Sequence, residues 1–207
     1  SLVCVENTSN RGGGSCYDFE ELKRIRQVCN DHQLAFHIDG ARLFNAIIAK
    51  GESAIQYGSL FDSISICLSK SLGCPVGSLL IGQKDFIKKA RRIRKVFGGG
   101  MRQAGFLAAA GIYALNNHVT RLKQDHSHAT IIAEALSQKS FVKQILPVET
   151  NIVIFETKGI SAPDLVKKFK AENILWYAIA PDRVRLVLHL DITESMVEKT
   201  IEVINKF

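Results

Sequence analysis

The chain has 207 residues, long enough to bury a substantial core in one domain or two. Hydrophobic residues make up 46% and charged residues 23%, the balance of a folded globular protein and not of a disordered one. A net charge of +7 raises nucleic acid as a partner, but no nucleic-acid module and no aromatic–basic interleaving accompany it. The apolar runs are short and broken by charge, so neither nucleic acid nor a membrane is expected as a partner.

The chain opens on Ser1, with no methionine and no basic–apolar–small leader, and runs straight into "LVCVEN" (2–7), which reads as a strand. That is the profile of a segment. The loop "TSNRGGGSC" leads to a helix from about Tyr17 to His32. Asp18 and Glu21 make a D-x-x-E pattern resembling a capping box, and Leu22, Ile25, Val28 and Cys29 supply a buried stripe. "LAFHID" (34–39) is the next strand, and "GARLFNAIIAKG" turns back into helix. "FDSISICLS" and "GSLLIG" are two further strands.

The densest basic run, "KKARRIRK" (88–95), carries Phe86, Ala90, Ile93 and Phe97 at helical spacing. It reads as an amphipathic helix with a solvated basic face, stopped by "GGG" at 98–100. A long helical region from about Arg102 to Gln138 breaks near Asn116 and Asn117. After Pro147 the pattern becomes strand "TNIVIFET", helix "SAPDLVKKFKAEN" capped by Ser161, strands "ILWYAIA" and "RVRLVLHL", and a closing helix capped by Thr193. Strand–helix alternation predicts an α/β fold, a mostly parallel sheet with helical crossovers over 1–119. A smaller α+β domain follows over 120–207.

The cysteines (Cys4, Cys16, Cys29, Cys67, Cys74) are odd in number and scattered, with no C-x-x-C pair and no histidine cluster. This argues against zinc and for reduced thiols, in the cytoplasm or the mitochondrial matrix. "RGGG" (11–14) lacks both the G-x-G-x-x-G spacing and a lysine–serine ending, so it reads as a connecting loop and not a nucleotide site.

Two stretches carry chemistry. In "HIDGARL" (37–43), Asp39 ends a strand, Gly40 permits a tight turn, and Arg42 follows near the same strand end. In "DSISICLSKSLGCPVGS" (62–78), Ile64, Ile66 and Leu68 share one strand face, and Lys70 continues it where the strand should end. Taken singly, Asp39 reads as a turn former, Arg42 as a surface residue and Lys70 as a side chain snorkelling to water. Together, at strand ends where open α/β sheets bind ligands, they fit pyridoxal phosphate. That cofactor needs a lysine for an imine, a carboxylate to keep its ring nitrogen protonated, and an arginine for a substrate carboxylate.

"HIDGARLFNA", "FDSISICLSKSLGCPVGSLLIG" and "RRIRKVFGGGMRQAGFLAAAGIYAL" resemble the catalytic core of the low-specificity L-threonine aldolases. These are pyridoxal phosphate enzymes of the aspartate-aminotransferase fold class, and "RVRLVLHLDIT" resembles their C-terminal domain. The resemblance implies that Lys70 bonds the cofactor, Asp39 pairs with its ring nitrogen, and Arg42 contacts its ring hydroxyl and the substrate. It implies further that Arg102 meets the cofactor phosphate and Arg185 the amino-acid carboxylate. His37, on the face of Asp39, reads either as a support or as a packed histidine.

The implied reaction is retro-aldol cleavage of L-threonine or L-allo-threonine, a small hydroxy amino acid, to glycine and acetaldehyde, in a homo-oligomer, dimer or tetramer. Another lyase of this fold, acting by β-elimination or decarboxylation, is the first alternative. A non-catalytic remnant that only assembles with other subunits is the second. Family members carry a further stretch upstream of Ser1, with a ring-stacking histidine and a phosphate loop, and commonly a histidine where Ser9 stands.

Overall fold

In the computed structural model, which describes residues 1–207, the chain separates into two units. The first comprises Ser1–Thr8 and Cys16–Thr120, the second Ser9–Ser15 and Arg121–Phe207. No helix is long and apolar enough to cross a membrane, and no group of three His, Cys, Asp or Glu side chains is placed to hold a metal ion.

In the first unit, β1 (Leu2–Glu6), β2 (Ala35–Gly40), β3 (Ser63–Cys67) and β4 (Ser78–Gly82) form one sheet in that order. β1 and β3 flank β2 in parallel, while β4 returns antiparallel to β3. Parallel neighbours require crossovers, here α1 (Phe19–Asp31) and then α2 (Leu43–Lys50) with α3 (Ala54–Leu60). Strand alternation sends Val5, Phe36, Ile38, Ile64 and Ile66 into a core with Leu22, Cys29, Tyr57 and Phe61. The opposite face carries Glu6, His37, Asp39, Ser63, Ser65 and Cys67, all half-buried.

Capping chemistry sets the helix starts. The Asp18 carboxylate accepts from the Glu20 and Glu21 amides, but Glu21 pairs with Arg24 instead of closing a capping box. Val28 is exposed, so the buried stripe of α1 runs through Leu22, Ile25 and Cys29. The closed capping box belongs instead to α3, between Ser53 and Gln56. The basic helix forms as α4 (Lys84–Val96) and is followed by α5 (Gly105–Asn117). α4 buries none of its residues: Phe86 and Ile93, with Phe97 just beyond, are exposed along with the charges.

The second unit contains α6 (Leu122–Ser137), β5 (Val142–Ile145), β6 (Ile152–Thr157), α7 (Ala162–Ala171), β7 (Tyr177–Ala180), β8 (Arg183–Val187) and α8 (Glu194–Lys206). Its sheet, ordered β5-β6-β8-β7, is antiparallel throughout. β5, "VKQI", lacks an apolar run, and only its pairing with β6 makes it a strand. The Ser161 and Thr193 hydroxyls cap α7 and α8 by accepting from the Asp164 and Met196 amides. Phe155, Phe169, Trp176, Val184 and Ile204 fill the core, with Phe169 stacked on Trp176 at 3.8 Å between ring centroids. Asp125 is fully buried, and the Arg121 guanidinium pairs with it at 2.7 Å.

Two measurements check this packing. Phe169→Ala should cost about 3–5 kcal/mol in chemical denaturation, through lost burial and the cavity it leaves. In the first unit, Arg26 on α1 donates to both oxygens of Asp62, at 2.6 and 3.1 Å, and the Phe36 amide donates at 2.7 Å. The Arg26 hydrogen bonds, with a smaller contribution from the Phe36 amide, hold the Asp62 carboxyl below the usual carboxylate range. A depressed carboxyl stabilises the fold above its unfolded pKa, about 3.9, and that contribution disappears as pH falls through the lower folded value. Asp62→Asn should therefore flatten the acid limb of stability against pH, by a small amount because the pair is solvent-exposed.

Candidate active site

The site begins where β2 hands the chain to α2. Asp39 Oδ1 accepts from the Ala41 amide at 3.1 Å, which leaves Oδ2 for another donor. The Asp39 carbonyl receives the Asn7 amide at 3.0 Å, tying the end of β1 to the end of β2. A Cβ on Gly40 would stand 2.7 Å from the Ser65 carbonyl and 3.0 Å from Leu43 Cβ, so only glycine lets the two strand ends approach this closely. Arg42 lies half-buried at the N-cap of α2.

β3 ends at Cys67, and Lys70 lies beyond it, exposed, on a loop from Leu68 to Gly77. The loop is closed by the Leu68 amide on the Gly77 carbonyl at 2.9 Å, the Cys74 amide on the Leu68 carbonyl at 3.0 Å and the Gly73 amide on the Lys70 carbonyl at 2.9 Å. Lys70 therefore does not extend the inward face of Ile64, Ile66 and Leu68. Strand pairing with β4 stops at Cys67 opposite Ser78, and the chain turns before the lysine. This chain does not withhold the Lys70 amine from water.

The two strand ends are nonetheless neighbours. Gly40 pairs with Ile66 in the register of β2 and β3. The buried Asn45 amide on α2 donates to the Ser71 hydroxyl at 2.9 Å. From the other side, His118 Nδ1 donates to the Leu72 carbonyl at 2.7 Å, and Cys74 Sγ reaches the Ala110 carbonyl at 3.6 Å. His37 shares the face of Asp39 and bonds Ser63 Oγ at 2.8 Å through Nδ1, without reaching the carboxylate. Arg102 is exposed between α4 and α5, and no hydrogen bond fixes its side chain.

In the second unit, Arg185 lies half-buried on β8, on the face opposite Val184 and Leu186. It donates to Asn10 Oδ1 at 2.8 Å, its Nε has no partner, and no carboxylate neutralises it. Burial pushes its pKa down. Its neighbour Arg183, by contrast, pairs with Glu156 at 2.8 Å. The "RGGG" segment is a tight loop closed by a bridge between Ser9 and Ser15, with Ser9 Oγ accepting from the Gly12 amide at 3.2 Å. Gly13 and Gly14 have positive φ, and the Thr150 hydroxyl donates to the Gly14 carbonyl at 2.7 Å. Its glycines serve this turn and the close packing.

Sequence reasoning missed Asn7, Asn45, Ser71 and His118. Asn7 is fully buried and donates to the Tyr57 hydroxyl at 3.1 Å, which in turn donates to Glu52 at 2.6 Å. Burial, reinforced by Glu52, pushes the Tyr57 pKa far up, so the phenol stays a donor. Asn45 left a readable signal, a single amide inside the apolar run "LFNAII". Asn7 and His118 left none, because their partners are distant in sequence.

The donor set fits an electrophilic, nitrogen-heterocyclic cofactor. It offers a primary amine with no ion pair and, on the neighbouring strand end, a carboxylate with one oxygen unclaimed. A family model described as beta-eliminating lyase matches residues 1–159, and the chain belongs to that family. Low-specificity L-threonine aldolase 1 of Arabidopsis thaliana is 39% identical over 97% of this chain, and the low specificity L-threonine aldolase of Escherichia coli K12 is 44% identical over 94%. The chain spans 57% and 56% of the lengths of those two relatives. A crystal structure from Exiguobacterium, titled a putative aromatic amino acid beta-eliminating lyase/threonine aldolase, matches with a TM-score of 0.85 over 99% of this chain and 61% of that one, at 21% identity. The α/β fold, with its mostly parallel sheet in the first unit, is thus shared with that structure.

Gly40→Ala tests the close approach. The added methyl should cost about 1–3 kcal/mol in denaturant unfolding, because its first obstacle is backbone and not a movable side chain.

Proposed function

We propose that this chain carries the lysine and carboxylate of a pyridoxal-phosphate-dependent lyase that cleaves L-threonine or L-allo-threonine to glycine and acetaldehyde. The observation that carries the reading is the adjacency of two strand ends, one bearing Asp39 and Arg42 and the other leading to Lys70. The names borne by relatives 39% and 44% identical support the substrate class.

Pyridoxal phosphate bound there supplies a conjugated ring that takes up the electron pair left on Cα when the Cα–Cβ bond breaks. Lys70 would hold its aldehyde carbon through Nζ, and the exposed position of the amine leaves it open to an incoming amino group. Asp39, through its unclaimed Oδ2, would accept from the ring nitrogen and favour its protonated form. Arg42 would orient the ring hydroxyl and the substrate side, and Arg102 would neutralise the phosphate. Arg185, a planar fork without a carboxylate of its own, would take the substrate carboxylate. One proton would leave the β-hydroxyl as the carbonyl of acetaldehyde forms and one would be taken up at Cα to give glycine, so the cleavage needs no co-reactant.

A β-elimination reading draws on the description of the family model. From L-threonine it predicts 2-oxobutanoate and ammonia where the aldolase reading predicts glycine with acetaldehyde. We also assign the protein to a reducing compartment, since none of the five cysteines is in a disulfide. Homo-oligomers are the assembly we propose, since Val96, Phe97 and Phe106 stand exposed on and beside α4 and α5.

The test is an absorbance scan with added pyridoxal phosphate, wild type against Lys70→Ala, paired with assays of L-threonine turnover for glycine, 2-oxobutanoate and amine. A band near the visible edge should appear only with Lys70 present, and L-threonine should yield glycine with acetaldehyde. An equal band in Lys70→Ala overturns the lysine assignment. 2-Oxobutanoate or amine as the product overturns the aldolase reading.

A further inference from the structure

We propose that Asn45 is a positioning residue for Lys70, acting through the hydroxyl of Ser71; this rests on the reading of Lys70 as the cofactor-bonding amine. Lys70 is exposed and makes no ion pair or side-chain hydrogen bond, so its own side chain does nothing to fix where its amine stands. That position is set by the backbone of the loop from Leu68 to Gly77, whose Leu68, Leu72 and Cys74 are buried with Ala114 and packed against Phe44 and Val119. His118 and Cys74 tie it to α5 through the Leu72 carbonyl and the Ala110 carbonyl. Toward the Asp39 side, beside the apolar packing of Phe44, Asn45 holds by a hydrogen bond Ser71, the residue next to Lys70 in the chain.

Asn45 is suited to that task by its own placement. It lies in the first turn of α2, three positions after Arg42, on a helix whose Leu43, Ala46 and Ile47 are buried. The helix that begins at the Asp39–Arg42 turn is therefore held rigidly, and Asn45 transmits its position to the lysine loop. Both partners are almost inaccessible, Asn45 at 1% and Ser71 at 7% exposure, so water cannot substitute for the bond. An amide in an otherwise apolar stretch is costly unless paired. Here the pairing links the carboxylate and amine halves of the site.

The experiment is borohydride reduction of the purified protein with pyridoxal phosphate, which locks the cofactor onto a lysine as a stable secondary amine. Labelling of the Lys70 peptide is followed by mass across cofactor concentrations. Asn45→Ala and Ser71→Ala should each slow labelling at saturating cofactor by roughly tenfold, because a small misplacement of a reacting atom is expensive. The half-saturating concentration should stay near that of wild type. The double variant should be no slower than either single one, since both remove the same bond.

Wild-type labelling rates in the folded single variants overturn the proposal, as do losses that multiply in the double variant. A shift in half-saturation with an unchanged saturated rate also overturns it, since that is the mark of a merely structural bond. If Asn45→Ala loses its folded circular dichroism, Ser71→Ala decides, because it removes one hydroxyl and no more. Failure of the wild type to label at Lys70 instead refutes the cofactor reading, and this inference with it.

Discussion

Parallel pairing of β2 with β3 is the constraint on which the candidate site depends. Two strands that run the same way present their carboxyl ends at the same edge, and whatever follows each strand emerges side by side. Here the turn through Gly40 and Arg42 emerges from one strand and the lysine loop from the other. The pairing survives at its last rung only because residue 40 has no side chain to meet the Ser65 carbonyl. Helix α2 then folds back with its apolar side in the core and its one buried amide on Ser71. Backbone geometry thus does most of the assembly, and few side-chain contacts remain to tune it.

The second unit solves a different problem. Its antiparallel sheet packs one face on helices, filled by Phe155, Phe169 and Trp176, and sends alternate residues of β8 to the other face. Arg183 and Arg185 share that outer face yet differ in electrostatic condition. Glu156 neutralises the first, whereas the second is half-buried and donates to an amide oxygen, that of Asn10. An arginine partly stripped of water without an anion is a costly arrangement, and that cost supports the proposed role of Arg185 as a binding group.

Most elements were legible because their signals are local. Strand alternation, the Asp18, Ser161 and Thr193 caps, and the break near Asn116 and Asn117 all depend on residues within one turn of each other. What was not legible depends on distant partners. "VKQI" becomes a strand only against β6, and Val28 falls outside the stripe of α1 because of how that helix seats on the sheet. The apolar side of α4 looks in sequence like any core-facing stripe, yet packing on β4 only half-buries Ile87 and Ala90 and leaves Phe86 and Ile93 exposed.

Lys70 shows the same division at the site. By itself the sequence determined the residue types and their order: a carboxylate and an arginine around a glycine turn, and later a lysine after an alternating run. Those follow from periodicity and chemistry alone. Where the lysine points was decided only in three dimensions, because hydrogen bonding between β3 and β4 ends at Cys67 and the loop that follows is shaped by partners on α2 and α5. Periodicity describes a strand only while its neighbour continues, and no residue within the run marks the place where that neighbour departs.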